Sequence, residues 1–158
     1  MKIRVIPVIV AMVFVLALVG CKSTDALNDT NWLLVSLNGQ SAIPDAQVTI
    51  SFEAGQINGT DGCNRYGASY TVNGSKFSVN QNIATTMMAC PEPIMEQATA
   101  YITALTQAAT YKVDNQQLSL LDASGKTLAT FTAQNKELIV FLDNYNFPLD
   151  DKPLACSN

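Results

Sequence analysis

The chain has no histidine among its 158 residues. Histidine is the usual general base and the commonest metal ligand, so its absence excludes the Ser-His and Cys-His catalytic arrangements and many metal sites. Glycine loops of the GxxxxGK[ST] or GxGxxG kind and the GxSxG nucleophile motif are missing as well. These absences argue against enzymatic chemistry, and we expect no catalytic residues, no bound metal and no cofactor.

Basic residues are few, and two of them stand at the very start of the chain. Lys2 and Arg4 precede an apolar run from Val5 to Val19 that only Pro7 interrupts. A basic start, a short apolar segment and a small residue near the cut are the plan of a secretory signal peptide. The run is shorter than the about 20 apolar residues that a transmembrane helix needs.

The end of this segment, Leu18-Val19-Gly20-Cys21, resembles the lipobox of bacterial lipoproteins. The resemblance implies cleavage before Cys21, acylation of the Cys21 thiol and acylation of the new amino terminus. Several acyl chains on one residue give stable membrane anchoring. The alternatives are an uncleaved anchor helix, or an ordinary signal peptide with a coincidental cysteine. By resemblance to the sorting rule of bacterial lipoproteins, an aspartate at residue 22 would favour the inner membrane. The residue is Lys22, so we expect the protein at the periplasmic face of the bacterial outer membrane.

Removal of residues 1–20 leaves 138 residues with seven basic and 13 acidic side chains, a net charge of −6. This length suits one domain with a real core. The acidity argues against nucleic acid and against binding of anionic lipid through a basic patch. We divide the chain into a signal peptide, a polar tether, one folded domain and a C-terminal tail: 1–20, 21–30, 31–142 and 143–158.

Short alternating segments separated by turn residues predict β-strands over 31–37, 48–53, 56–60, 69–72, 76–79, 110–113, 117–121, 127–132 and 138–142. Residues 92–108 change to the helical period. The apolar positions of this stretch form one face: Ile94, Ala98, Tyr101, Ile102 and Leu105. The pattern predicts an α+β fold in which a strongly bent, half-barrel-like antiparallel sheet packs against this one main helix. No tandem repeat or second domain is evident.

Two blocks of residues resemble the META domain family, which includes the HslJ-like heat-shock lipoproteins of bacterial envelopes. The first, the GCN block, is Gly62-Cys63-Asn64-Arg65-Tyr66, and the second, about 25 residues later, is the TxMAC block, Thr86-Met87-Met88-Ala89-Cys90. The other matching residues include Trp32 and Tyr70. The chain departs from the family pattern at Ala68, where glycine is usual, and at Met87, where arginine is frequent. The resemblance covers roughly residues 31–132.

This resemblance implies a function and a disulfide. Three cysteines remain besides Cys21, so one must be left over from any pairing within the chain. The two cysteines in the motif blocks, Cys63 and Cys90, predict a disulfide, and Cys156 in the tail is the candidate free thiol. The alternative is a pair of buried unpaired thiols. The family implies tolerance of heat and of the antibiotic novobiocin, through contact with an envelope component that we take to be a protein.

Each motif residue also has a plain structural interpretation. Trp32 is expected to anchor the core, Gly62 to form a bend and Asn64 to bond local backbone in a turn. Tyr66 and Tyr70 are expected to be half-buried strand residues, with a place in the lining of a groove as the alternative. Met87 and Met88 are expected to pack, with a soft binding surface as the alternative. Arg65 is expected on the surface and is the first candidate contact residue, because binding residues concentrate on loops held by a rigid scaffold.

Two other functions stay open from the sequence. A periplasmic carrier of a small apolar ligand requires an apolar cleft between helix and sheet. An enzyme requires a carboxylate pair, and the only grouping near the motif is Asp61 with Glu92 or Glu96.

The lipobox generates a direct prediction. Mass spectrometry of the membrane fraction should find a chain that begins at acylated Cys21, and a Cys21→Ala protein should lose the acyl mass. Cys156→Ala is the matched control, since it removes a cysteine outside the lipobox and should leave processing unchanged. A wild-type chain that retains residues 1–20 would contradict the prediction.

Overall fold

The computed structural model of the protein describes residues 25–134, and within that range it contains ten strands and one helix. The strands are β1 (Thr30–Leu37), β2 (Gln40–Ser41), β3 (Val48–Glu53), β4 (Gln56–Asp61), β5 (Arg65–Asn73), β6 (Lys76–Val79), β7 (Ala84–Thr85), β8 (Thr110–Asp114), β9 (Gln117–Leu121) and β10 (Thr127–Ala133), and the helix is α1 (Glu92–Gln107). The signal peptide, Cys21, the strand predicted over 138–142, the tail 143–158 and Cys156 lie outside the described residues.

Alternation along the strands sorts side chains between the core and solvent. In β3, Val48, Ile50 and Phe52 are buried, whereas Thr49 and Ser51 between them are only half-buried. Turns with positive φ reverse the chain between successive strands, as at Asn38-Gly39, where φ is 51° and 82°. This is the backbone that Asn-Gly tolerates and that a tight hairpin requires. Eight of the nine predicted strands fall within the described residues, and each of them is present.

The sheet is closed, and the half-barrel that we predicted is wrong in this respect. Eight antiparallel strands form a ring in the order β1-β3-β4-β5-β6-β8-β9-β10, and β10 pairs back with β1. Leu34 lies opposite Phe131 in this last pair, and the register shifts between Leu34 and Ser36. Side-chain periodicity reports which face of a strand is buried but not which strand it pairs with, so closure could not be read from the pattern.

The helix packs one face into the barrel, but that face differs in part from the predicted one. Its buried residues are Ala98, Tyr101, Ala104 and Leu105. Ile94 and Ile102, which we expected in the core, are only half-buried. The helix contacts β1, β4, β6 and β10, which belong to different sides of the ring, so it covers an opening of the barrel. Ala104 on this face is buried, and its small side chain is compatible with close packing of the helix.

Aromatic rings fill the interior between helix and sheet. Phe52 and Tyr70 meet edge to face with ring centroids 5.1 Å apart. Tyr101 makes the same kind of contact with Tyr66 at 5.6 Å and with Phe131 at 6.3 Å. Trp32 is buried as predicted, and its indole N–H donates to Thr30 Oγ1 at 2.7 Å. Such edge-to-face pairs contribute about 0.5–1.5 kcal/mol each beyond the burial of apolar area.

The folded body begins before the end of the tether that we placed at residues 21–30. Leu27 is 0% exposed and belongs to the core cluster. The Tyr70 hydroxyl donates to Asp25 Oδ2 at 2.5 Å, which fastens the start of the described chain to β5. A single apolar residue in a polar stretch gives no periodic signal, so the burial of Leu27 was not visible in the sequence.

No helix within residues 25–134 is long and apolar enough to cross a membrane.

The helix contact predicts the effect of truncating Leu105, whose side chain is 0% exposed. Leu105→Ala should lower the free energy of unfolding by about 2–5 kcal/mol, because the substitution removes buried methyl groups and leaves a cavity. Thr103→Ala on the exposed face of the same helix is the matched control and should stay within about 0.5 kcal/mol of wild type. Urea unfolding at equilibrium measures both, and equal effects would mean that the helix presents another face.

Candidate functional site

The GCN block forms a tight turn between β4 and β5 that one buried carboxylate organises. Asp61 Oδ1 accepts from the backbone N–H of Cys63 at 2.8 Å and of Asn64 at 2.5 Å. Gly62 has φ +96°, and a Cβ there would lie 2.9 Å from the Ala46 carbonyl oxygen, so only glycine fits. The bend predicted at Gly62 is confirmed. The carboxylate of Asp61, which we considered as half of a catalytic pair, is used in the hydrogen bonds of this turn.

Asn64 joins the two motif blocks, and our expectation that it bonds local backbone is wrong. Its buried Oδ1 accepts from the Met88 N–H at 2.7 Å and from the Thr86 hydroxyl at 3.0 Å. Thr86 Oγ1 in turn accepts from the Arg65 N–H, and the Thr86 N–H donates to the Arg65 carbonyl. These partners are more than 20 residues away in sequence, and only the folded sheet brings them together.

A disulfide between Cys63 and Cys90 confirms the predicted pairing and forms a second link between the blocks. The two Cα atoms are 6.0 Å apart, and the bridge spans 27 residues. Closing a loop of this size stabilises the fold by about 3–4 kcal/mol in the chain-entropy account. Cys63 Sγ also contacts the Met88 carbonyl oxygen at 3.5 Å and Met95 Sδ at 3.6 Å. The bridge therefore fixes the TxMAC block to the turn between β4 and β5, and the contact with Met95 brings that turn against the first turn of the helix.

Two tyrosine hydroxyls form a buried chain beneath this turn. The Tyr66 and Tyr101 hydroxyl oxygens are 2.6 Å apart, and the Tyr66 hydroxyl donates to the Thr49 carbonyl at 3.0 Å. The proton of Tyr66 is used there, so Tyr101 is the donor to Tyr66. Burial raises the pKa of both tyrosines well above the ordinary value, which keeps them neutral. Tyr66 is a core residue and not half-buried as we expected.

Tyr70 is also fully part of the core. Burial, together with its hydrogen bond to Asp25, raises the pKa of its hydroxyl. Tyr70 and Trp32 match the family motif but lie away from the GCN turn, so the structure separates them from the linked blocks. Their role is packing.

The methionines of the TxMAC block lie on the surface, and the packing that we expected for them is wrong. Met87 is 97% exposed and Met88 is 56% exposed. Met95, at the start of the helix, is 37% exposed and touches the disulfide. We call these three residues the methionine patch. Within residues 25–134 only two other large apolar side chains are exposed, Val35 and Val113.

A polar groove opens on the outer face of β3, β4 and β5 beside the turn. It has a volume of about 470 Å³ and lies over Gly59. The polar residues that line it are Thr49, Ser51, Asn58, Thr60, Arg65 and Tyr66. We call it the outer groove. It places Arg65, exposed as predicted, at a concave surface and not on a featureless loop.

Sequence reasoning missed two residues that hold this region. The side chain of Gln97 accepts from the Ile43 N–H at 2.7 Å and donates to the Ala46 carbonyl at 3.1 Å, which fastens the 43–46 loop to the helix. Thr49 links β3 to β4 and to Tyr66. A polar residue on the buried side of the helix period was the available signal for Gln97. Thr49 has no comparable signal, because its alternation suggests an ordinary outward residue.

The link through Asn64 predicts a stability effect that separates it from an ordinary surface asparagine. Asn64→Ala should lower the free energy of unfolding by about 1–3 kcal/mol, since it leaves the Met88 N–H and the Thr86 hydroxyl without an acceptor. Asn58→Ala, at an exposed position of β4, should change it by less than about 0.5 kcal/mol. Denaturant unfolding of the oxidised proteins measures both free energies. An Asn64→Ala protein as stable as wild type would show that the hydrogen bonds of Asn64 do not stabilise the fold.

Comparison with known proteins agrees with this architecture. A protein from Burkholderia xenovorans, known from an NMR structure, superposes with a TM-score of 0.59 at 29% identity, covering 70% of this chain and 85% of its own. A DUF4847 family protein from Bacteroides vulgatus, at 18% identity and a TM-score of 0.53, covers 70% of this chain and 97% of its own, and shows the fold alone. No curated protein matches the chain.

The family comparison is more specific. The model of the META domain matches residues 25–135, which include β1 to β10, the disulfide and both motif blocks. It also begins at Asp25, in agreement with the buried Leu27. Because this match covers most of the sequence, the chain belongs to the META domain family.

Proposed function

We propose that this protein is a non-catalytic lipoprotein of the bacterial outer membrane that supports tolerance of heat and novobiocin through contact with another envelope component. The signal segment and lipobox at residues 1–21 support the location. Membership of the META domain family supports the link with stress, through the resemblance to its heat-shock lipoproteins. The folded domain makes this contact with its partner, and the lipid anchors the protein to the membrane.

The observation that carries the proposal is the methionine patch beside Arg65. Cys63 Sγ touches both the Met88 carbonyl and Met95 Sδ, so the disulfide draws the TxMAC block and the helix start together. Exposed apolar patches on a folded domain mark contact surfaces, and methionine adapts to irregular partners. The patch stands on backbone held by Asn64 and the Cys63–Cys90 bridge. A rigid base lowers the cost of ordering the surface on binding.

The polar groups near the turn support a role without catalysis. The Asp61 carboxylate accepts two backbone N–H groups, and the Tyr66 and Tyr101 hydroxyls are used in a buried chain. Glu92 and Glu96, the other members of the suggested carboxylate pair, are exposed on the helix. Each of these groups has a structural or solvated role in the described part of the chain.

A carrier of a small apolar ligand has less support. The barrel interior holds a continuous cluster of buried side chains that extends from Leu27 to Phe131 and includes Tyr101 and Leu105 of the helix. A ligand inside would have to displace these side chains. The outer groove is polar and suits a different kind of ligand.

Complementation of a deletion strain tests the proposal. The strain should lose survival under heat or novobiocin, and the wild-type gene should restore it. A Met87→Ser/Met88→Ser protein should fold normally and rescue poorly, because it removes the exposed apolar contact and no core residue. Arg65→Ala should behave in the same way. Val113→Ser, at another exposed apolar position, is the matched control and should rescue fully.

Two outcomes would contradict the proposal in different ways. Wild-type survival of the deletion strain under both stresses would remove the function. Full rescue by the methionine variant, at wild-type protein levels, would remove the patch as the contact surface.

A further inference from the structure

The outer groove is lined by hydrogen-bond donors. Its charged side chain is Arg65, and no aspartate or glutamate is among the described residues that line it. This is unusual for its setting, since acidic residues outnumber basic ones by 13 to nine in the chain. The volume of about 470 Å³ falls within the range of about 300–1,000 Å³ typical of small-molecule sites.

Two threonine hydroxyls in the groove each accept one backbone N–H. Thr49 Oγ1 accepts from the Thr60 N–H at 3.3 Å, and Thr60 Oγ1 accepts from the Gly62 N–H at 3.2 Å. A hydroxyl has one proton to donate and two lone pairs that can accept, so an oxygen that receives one N–H still has its proton and a second lone pair. Within residues 25–134 neither proton has a protein acceptor, so both are available to a ligand in the groove.

The backbone of Arg65 is fixed from outside the groove. Its N–H donates to Thr86 Oγ1 at 3.1 Å, and its carbonyl accepts from the Thr86 N–H at 3.0 Å. The guanidinium adds five N–H donors in a planar fork that matches a carboxylate. The side chain is exposed, so it reaches a ligand without first breaking a buried contact.

We infer that the outer groove binds the carboxylate group of a polar ligand, with Arg65 as the charged partner and the Thr49 and Thr60 hydroxyls as additional donors. The inference deepens the proposed function and rests on it, because it names the chemistry of the envelope component. One guanidinium matches one negative charge. A phosphate monoester carries up to two charges at pH 7 and meets stronger repulsion from the acidic chain. Ser51 and Asn58 complete the site as partners for hydroxyl or amide groups of the ligand.

Binding to matched acid and neutral probes tests the inference. The full chain, purified in detergent, is titrated by calorimetry with N-acetylmuramic acid and with N-acetylglucosamine, which lacks the carboxylate. A second pair, N-acetylglycine and its amide N-acetylglycinamide, makes the same comparison on an amino acid. We expect the acid of at least one pair to bind tighter than its neutral analogue, and the pair that responds identifies a sugar acid or a peptide acid. Binding should weaken as salt is added.

Variants assign the effect to the groove. Arg65→Gln should weaken binding of the acid by about tenfold or more, in keeping with loss of a charged hydrogen bond, and should leave the neutral probe unaffected. Arg65→Lys keeps the charge but not the fork and should fall between the two. Lys112→Gln, an exposed position on β8, removes the same charge elsewhere and is the matched control.

Equal binding of acid and neutral probes in both pairs would overturn the inference, as would unchanged binding by Arg65→Gln. Tighter binding of glucose 6-phosphate than of either acid would overturn the choice of a carboxylate. These outcomes leave the complementation result of the methionine variant untouched. Failure of the groove and failure of the proposed function are therefore distinguishable.

Discussion

Pairing of β1 with β10 closes the sheet into a ring, and the rest of the structure depends on that closure. Once the ring is closed, the inward side chains of all eight strands and one face of the helix share a single interior, where Tyr101, Phe131 and Leu105 are fully buried. A barrel of eight strands is just wide enough for side chains to fill it. Because the interior is filled, the outer surface and the turns between strands are what the described part of the chain presents to solvent.

The two motif blocks form a defined surface on this rigid body. Asp61 shapes the turn, Asn64 bonds the TxMAC segment, and the Cys63–Cys90 bridge fastens the same segment covalently. The links are of different chemical kinds. Each helps to hold an irregular segment that has few hydrogen bonds to neighbouring strands. The linked segment thereby holds the side chains of Met87 and Met88 in solvent.

The methionine patch and the outer groove meet at Arg65. Its backbone pairs with Thr86, one residue before Met87, and its side chain lines the groove on β3 to β5. In the function that we propose, the apolar patch would supply contact area and the polar groove would supply selectivity for charge, a division of roles that is common at protein surfaces. In the described part of the chain Arg65 is the cation that both surfaces adjoin, so the partner that we propose would present an acidic group beside an apolar one.

The sequence by itself determined the helix, the longer strands and the family, but not the two-residue strands β2 and β7. Alternation in segments such as 48–53 and the change of period at 92–108 are local properties, so strand and helix positions followed directly, and the order of the two cysteine-bearing blocks predicted the disulfide through the family resemblance. Closure of the ring, the long-range partners of Asn64, the burial of Leu27 and the exposure of Met87 were decided only by the tertiary structure. The tertiary structure also decided the hydrogen-bond partners of the Thr49 and Thr60 hydroxyl groups. All of them depend on which distant backbones meet, and a repeating pattern of buried and exposed side chains holds no information about the identity of the neighbour across the sheet.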